Sequence, residues 1–314
     1  MKFRTALPTP EFPFQIGYQD QVFGLGSCFV AHIKQKLDRY QFRNHINAFG
    51  TVFNPISIQN LLQKIENQEY ITEKEIFYHQ GVWKHFDFHS QFNHHTKEII
   101  LLEINHTILN SLAVLESSKL IILTLGTAWV YKHKKTQKIV NNCHKVSADN
   151  FEKVLLSPTD ITDSLKESIR LIQLVNPKSK ILLTLSPVRH LRDGFIENQR
   201  SKAHLLTAIH SVVDRQNIFY FPSYEILMDD LRDYRFYNYD LLHPNTMAVD
   251  YIWEIFSNSI IDKQALQTMQ EVERINKSLM HKAFNPDSEM HQNHLKSVAE
   301  RISNLQNKFP WMKF

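Results

Sequence analysis

Q-V-F-G-L-G-S-C-F-V-A-H-I-K-Q-K-L-D-R-Y, residues 21–40, is the stretch on which the reading of the fold turns. Its first six residues form a short apolar run closed by glycine, which reads as a strand. Beyond it Phe29, Ile33 and Leu37 recur every four residues, the spacing of one helix face. The expectation is a strand over 21–26 and a helix over 29–40, joined through Gly26, Ser27 and Cys28. The alternation continues to about residue 257, with strands predicted at 43–49, 119–125, 179–185 and 217–221. Helices are predicted at 56–66, 99–115, 160–175, 198–215 and 244–256, the first of them opened by Asn54 as cap and Pro55 as first residue. The runs at 119–125 and 179–185 are almost wholly apolar, as buried central strands are. Such alternation implies an α/β fold with a parallel sheet covered on both faces. Ligands on such sheets bind outside the carboxyl ends of the strands.

Two segments break the pattern. Residues 70–96 are rich in aromatics and histidine and predict a hairpin or lid inserted over one edge. Residues 262–307 predict a helical hairpin, since Leu295, Val298, Ile302 and Leu305 recur at three and four and Asn285-Pro286 marks a turn. The chain therefore divides into an α/β domain over 1–257 and a helical extension over 258–314, which either mediates dimerisation or covers the sheet.

Composition narrows the class. The 314 residues carry 43% hydrophobic and 22% charged side chains and a formal net charge of +4, an ordinary globular balance with its basic residues scattered. That distribution argues against a nucleic-acid partner. The opening M-K-F-R-T-A-L-P-T-P lacks the apolar run of a secretory signal, and no stretch reads as apolar enough to cross a bilayer. Cys28 and Cys143 read as reduced thiols, and no C-x-x-C pattern is present. The expectation is a cytoplasmic protein with neither membrane nor cofactor. Glycine is scarce, at seven residues, and Gly24, Gly26, Gly50 and Gly126 all end strand-like runs.

Gly24-Leu25-Gly26-Ser27-Cys28-Phe29 presents a nucleophile candidate. A serine at a strand-to-helix junction holds its hydroxyl at the ligand-binding rim, and its own N–H is expected to be free to face an oxyanion. Phe29 breaks both the dinucleotide fingerprint and the G-x-S-x-G elbow, each of which requires glycine there. A capping role for Ser27 is the plainer alternative, and Cys28 is a rival nucleophile or a small packing residue. Far downstream, Asp240-Leu241-Leu242-His243-Pro244 pairs a carboxylate with an imidazole three residues on, so that Nδ1–H is held and Nε2 is left to take a proton.

These residues resemble a known family. G-S-C-F at 26–29 with Val30 is similar to the motif that names the GSCFA family. The likeness extends through T-L-G-T-A-W-V-Y (124–131), N-C-H-K (142–145), S-P-V-R-H (186–190), Phe221 to Glu225, L-R-D-Y-R-F-Y (231–237) and D-L-L-H-P (240–244). The GSCFA family resembles the SGNH/GDSL hydrolases, which implies a three-layer, flavodoxin-like α/β/α sheet. It also implies Ser27 as nucleophile, His243 as base and Asp240 as orienter. Gly50 matches the glycine whose N–H completes an oxyanion hole. The asparagine that such enzymes carry after the third strand is missing from Gly126-Thr127-Ala128-Trp129, which leaves Thr127 or Asn142 to replace it.

The implied activity is an esterase or acyltransferase working through an acyl-enzyme, with a small-molecule or carbohydrate ester as substrate. Lys145, Arg189, His190 and Arg232 lie on loops expected at the rim and suit an anionic group, internal salt bridges being the alternative; His89 is a further substrate contact. Tyr234, Phe236, Tyr237 and Tyr239 either pack or line a pocket. Two readings of other classes stand beside this one. His85, Asp87 and His89 alternate as if on one strand face, with His94 and His95 following, which suits a metal-dependent hydrolase. A non-catalytic binding protein is the other.

Overall fold

A computed structural model describes residues 4–281, 284–285 and 287–314 of the chain. Pro286, half of the turn predicted in the terminal hairpin, lies outside them. The chain opens with β1 (Gln21–Gly26), α1 (Cys28–Arg39), β2 (Asn44–Ile46) and α2 (Pro55–Glu66). The hairpin β3 (Phe77–His79) and β4 (Val82–Lys84) follows, then α3 (Lys97–Ser117) and β5 (Ser118–Leu125). Next come β6 (Trp129–His133), β7 (Ile139–Val140), β8 (Phe151–Leu155), α4 (Pro158–Val175), β9 (Lys180–Leu185), α5 (Phe195–Val212) and β10 (Ile218–Phe221). A one-turn α6 (Ser223–Glu225) and then α7 (Thr246–Ile260), α8 (Lys263–Met280) and α9 (Glu289–Lys308) complete the described elements.

The central sheet has five strands in the order β10-β9-β5-β1-β2, every pair parallel. Period-two alternation splits its side chains between two layers. Phe23, Leu25, Ile121, Leu123, Ile181 and Leu183 pack with the buried faces of α2, α3, α4 and α5. Val22, Leu120, Ile122, Leu182 and Phe219 pack on the other side with α1, α7, α8 and α9. The terminal hairpin is part of that second layer: Val272, Ile275, Val298 and Leu305 join the same cluster as Phe29 and Ile33. Arg39 of α1 is paired with Glu273 of α8 at 2.9 Å. The strand order reverses between β1 and β5, so the crevice beyond Gly26 and Leu125 is the topological switch point at which such sheets take ligands.

Several elements differ from expectation. The second strand ends at Ile46 rather than 49, because Asn47 takes a left-handed conformation (φ 51°) and starts a turn closed by the Gly50 N–H on Asn47 O at 2.8 Å. A three-stranded antiparallel sheet, β7-β6-β8, was not foreseen. Residues 70–96 contain a short hairpin whose Gln80-Gly81 turn has both φ values positive, 52° and 82°, as a two-residue primed turn requires. Helix α3 is the apolar stretch that the sequence reading did not find: 18 of its 21 residues reach a mean hydropathy of 1.4, enough to span a bilayer by length and composition alone, as core helices of globular proteins also can be. The apolar side chains lie on more than one face. Ile100, Ile104, Ile108 and Leu115 enter the core, whereas Leu102 and Leu109 are exposed.

Candidate active site

Ser27 follows β1 directly and is the N-cap residue of α1, with extended backbone (φ −67°, ψ 174°). Its hydroxyl makes no capping bond to the helix, and Oγ is buried without a hydrogen-bond partner. A serine of merely structural purpose at this position would use that oxygen to satisfy a helix amide. The expectation of a free Ser27 N–H does not hold: it donates to Thr124 O at 3.0 Å, because the parallel ladder with β5 runs one residue past the strand. The turn before it is tightly held. Asn47 receives the Gly26 N–H on Oδ1 at 2.8 Å and donates from Nδ2 to Gly26 O at 3.1 Å. Gly26 itself has φ +154°, and a Cβ there would lie 2.4 Å from Thr124 O.

Asp240 and His243 occupy the loop that leads into α7. His243 Nδ1 and Asp240 Oδ2 are 2.6 Å apart, while Asp240 Oδ1 accepts the N–H groups of Leu242 and His243 at 2.9 and 3.0 Å. Those backbone donors first, and His243 with them, hold the Asp240 carboxyl down at about 2. Leu241 adopts φ 59° to make the turn. The turn is gripped from outside: Arg189 Nη2 donates to Leu241 O at 2.6 Å, and the Arg189 guanidinium lies 4.8 Å from the Tyr237 ring centre. Arg189 is thus engaged by protein rather than presented to an anion. Arg232, 78% exposed, faces Asp229 at 3.6 Å.

Ser27 and His243 are not bonded to one another, since Oγ has no partner. His243 lies within electrostatic reach of His32 of α1 and of His190. His190 and Ser27 both border Gly126. A Cβ built on Gly126 would touch Ser27 Cβ at 3.1 Å and His190 Nε2 at 3.4 Å. His190 Nε2 is buried and unpartnered. Burial, and then the charge of Lys202, push this imidazole down to about 4, so it is neutral near pH 7. Its backbone N–H is fixed by Asn198 Oδ1 at 2.9 Å.

The remaining oxyanion candidates are occupied in ways the sequence did not disclose. The Gly50 N–H serves its own turn, and the Thr127 N–H donates to Phe53 O at 3.0 Å. Thr127 Oγ1 accepts from the Trp129 N–H at 3.0 Å and lies 3.2 Å from Ser201 Oγ. Asn142 accepts the His144 N–H on Oδ1 at 2.8 Å. Its side chain lines a cavity of about 560 Å³ that opens beside Phe53, Thr127 and His190. Lys145 and His89 line the same cavity.

The metal reading fails on geometry. Strand β4 stops at Lys84, so His85, Asp87 and His89 follow a turn instead of sharing a strand face. His85 Nδ1 accepts the Asp87 N–H at 3.0 Å, Asp87 faces Lys64 at 3.6 Å, and His89 Nδ1 accepts the Gln91 N–H at 3.3 Å. Among the described residues no group of three or more His, Cys, Asp or Glu is arranged to hold a metal ion. Cys28 is no better placed as nucleophile, because burial raises its thiol above the ordinary value.

Sequence reading missed one residue entirely. Lys202, 1% exposed, donates from Nζ to Gly126 O at 2.8 Å and to Ser186 O at 2.7 Å. Burial pushes the amine down to about 7. The signal was present: Asn198, Ser201, Lys202 and Leu205 fall at helical spacing on the buried face of α5, and a lysine there needs acceptors.

The chain was compared with known proteins. A search of curated proteins finds no match. Solved structures similar in fold include a carbohydrate esterase family 3 from Talaromyces cellulolyticus, 8% identical with a TM-score of 0.36 over 80% of this chain and 99% of that one. A Clostridium thermocellum family 3 carbohydrate esterase is 8% identical, with a TM-score of 0.35 over 80% and 97% of the two chains. An acetyl xylan esterase, Est2A, from the rumen bacterium Butyrivibrio proteoclasticus is 8% identical with a TM-score of 0.35, over 65% of this chain and 55% of that one. Two family models match: the GSCFA domain protein C-terminal domain over residues 272–314, and the GSCFA family over residues 21–256. With most of its length matched, the chain belongs to the GSCFA family.

Proposed function

We propose that this chain is a serine hydrolase of SGNH type, in which Ser27, His243 and Asp240 act as a catalytic triad on a carbohydrate O-acyl ester. One observation carries the reading. Ser27 has a buried hydroxyl that forgoes its capping bond, and His243, on the loop before α7, has its Nδ1 held 2.6 Å from a carboxylate. In this reading Ser27 Oγ attacks the ester carbonyl as its proton passes to His243 Nε2. Asp240 steadies the imidazolium that forms. The tetrahedral intermediate collapses, the alcohol leaves with the proton from His243, and the acyl group remains on Ser27. Water then attacks with His243 again as base, which gives an esterase. An acceptor alcohol at that step gives an acyltransferase instead.

The Ser27–His243 hydrogen bond closes when substrate binds, as catalytic bonds often do. The oxyanion needs donors that the resting geometry leaves free. His190 is the best placed, being neutral, buried and unpartnered at Nε2 beside the serine, and it takes the role of the asparagine that the loop after β5 lacks. Asn142 Nδ2 is a second donor on the adjoining wall.

The test is labelling by a fluorophosphonate together with turnover of p-nitrophenyl acetate. Wild type is labelled at Ser27 and turns over. Ser27→Ala loses both, and His243→Ala loses on the order of 10⁴-fold or more in kcat, with little further loss in the double variant. Labelling that survives Ser27→Ala refutes the reading.

A further inference from the structure

The cavity beside His190 has features that the acyl chemistry does not use. At about 560 Å³ it falls in the range of about 300–1,000 Å³ typical of small-molecule sites. Two aromatic side chains, Trp129 and Tyr131, contribute to its wall. Tyr131 is 37% exposed, and the Trp129 indole is half-buried with its N–H spent on Glu197 O at 3.2 Å. Asn141 presents a buried Oδ1 with no donor, while its Nδ2 is fixed on Thr51 O at 3.3 Å. That oxygen is oriented and unsatisfied, which is a costly condition unless a ligand supplies a hydroxyl or N–H.

The charge is lopsided. Lys145, Arg192 and Asp193 are the cavity's formally charged side chains, and Asp193 is neutralised by Lys153. Lys145 and Arg192 take part in no ion pair among the described residues, where many other basic side chains do. His190, which also lines the cavity, is neutral near pH 7 and adds no positive charge of its own. The cavity therefore holds two unpaired cations, an aromatic wall and a buried acceptor, and its His190 borders Gly126 as Ser27 does.

We propose that this cavity binds the alcohol portion of the ester, and that this portion is a sugar bearing a carboxylate or a phosphate. The inference rests on the ester-cleaving reading for its orientation: the acyl group points past His190 to Ser27, the ring lies against Trp129 and Tyr131 with a hydroxyl on Asn141, and the anion meets Lys145 and Arg192. A pair of guanidinium and ammonium groups suits either anion.

The experiment is titration calorimetry on the full chain with glucuronate, glucose 1-phosphate, glucose and inorganic phosphate, at low and moderate salt. One of the anionic sugars binds at least about tenfold tighter than glucose, a difference of about 1.4 kcal/mol, and the margin shrinks with salt. Preference for glucuronate assigns the carboxylate, and preference for glucose 1-phosphate assigns the phosphate. Lys145→Gln with Arg192→Gln, both exposed positions, removes the margin without lowering the melting temperature. Asn141→Asp, which sets a like charge against the ligand, weakens binding of the anionic sugar as well. Equal affinity for glucose, binding of inorganic phosphate as tight as of the sugar phosphate, or a margin that survives the double variant overturns the proposal. Calorimetry reports the cavity and fluorophosphonate labelling reports Ser27, so either reading can fail while the other stands.

Discussion

Replacing Lys202 by methionine keeps the length of the side chain and removes its two donors. In the wild type the amine spans Gly126 O and Ser186 O at 2.8 and 2.7 Å, and the site is fully buried. A neutral amine has two N–H groups, which match the two carbonyls, so the fold favours the uncharged form and draws the group down to about 7. In Lys202→Met both carbonyls lose their donor, each at a cost of about 1–3 kcal/mol. At pH 8 this loss is offset by about 3 kcal/mol, because the methionine variant is spared the deprotonation that burial imposes on a lysine of ordinary value 10.5. The pH dependence has a definite sign. Between about 7 and the ordinary lysine value the unfolded chain holds a proton that the fold does not, so raising the pH stabilises the wild type. Below about 7 both states are protonated and the penalty of the buried ammonium is complete. From pH 6 to 8 the wild type gains about 1 kcal/mol from this residue, and the methionine variant gains none. Urea unfolding of both proteins at pH 6, 7 and 8 measures the gap directly. A wild type that gains no more stability than the variant between pH 6 and 8 refutes the argument.

Three further outcomes follow from the same geometry. Gly26→Ala places a Cβ 2.4 Å from a backbone oxygen at φ +154°, so it costs more than about 3 kcal/mol and lowers the melting temperature sharply or prevents soluble expression. Arg189→Ala frees Leu241 O and the Tyr237 face, letting the Asp240–His243 loop wander; kcat falls about tenfold with little change in melting temperature, and Arg189→Lys, lacking the planar group that lies over Tyr237, does not restore it. His190→Ala lowers kcat about 10²–10³-fold through loss of an oxyanion donor. His190→Gln recovers part of it and leaves the pH–rate profile between 5 and 8 unchanged, because His190 is neutral over that range.

What could be read from sequence, and what could not, divides along the range of the interactions involved. The strand at 21–26 and the buried strand at 119–125 were legible because their apolar runs are local and their ends are marked by glycine. The Asp240–His243 contact was legible because four consecutive residues of one loop contain it. The sheet formed by β6, β7 and β8 was not, since Lys134, Lys135 and the polar run at 141–150 break its alternation and its pairing is long-range. The alternation of His85, Asp87 and His89 misled because the hairpin ends one residue earlier, at Lys84. The free amide expected at Ser27 was lost to a ladder that continues past the strand, which spacing alone does not reveal.

The buried polar face of α5 unites these details. Asn198 holds the backbone of His190, Ser201 accepts the Ala128 N–H at 2.7 Å, and Lys202 ties Gly126 to Ser186. Three side chains of a single helix thus fix the loops after β5 and β9, the two loops that flank Ser27 on the side away from β2. The loop after β9 then passes the constraint outward, since Arg189, one residue before His190, grips the turn that carries His243. The loops that carry Gly126 and His190, and through Arg189 the Asp240–His243 turn, are in this way referred to one helix, the kind of supporting shell that a site drawn from far-apart segments needs. The hydrophobic pattern of α5 accounts for its packing but not for these three polar residues. Their burial is explained by the loops they hold.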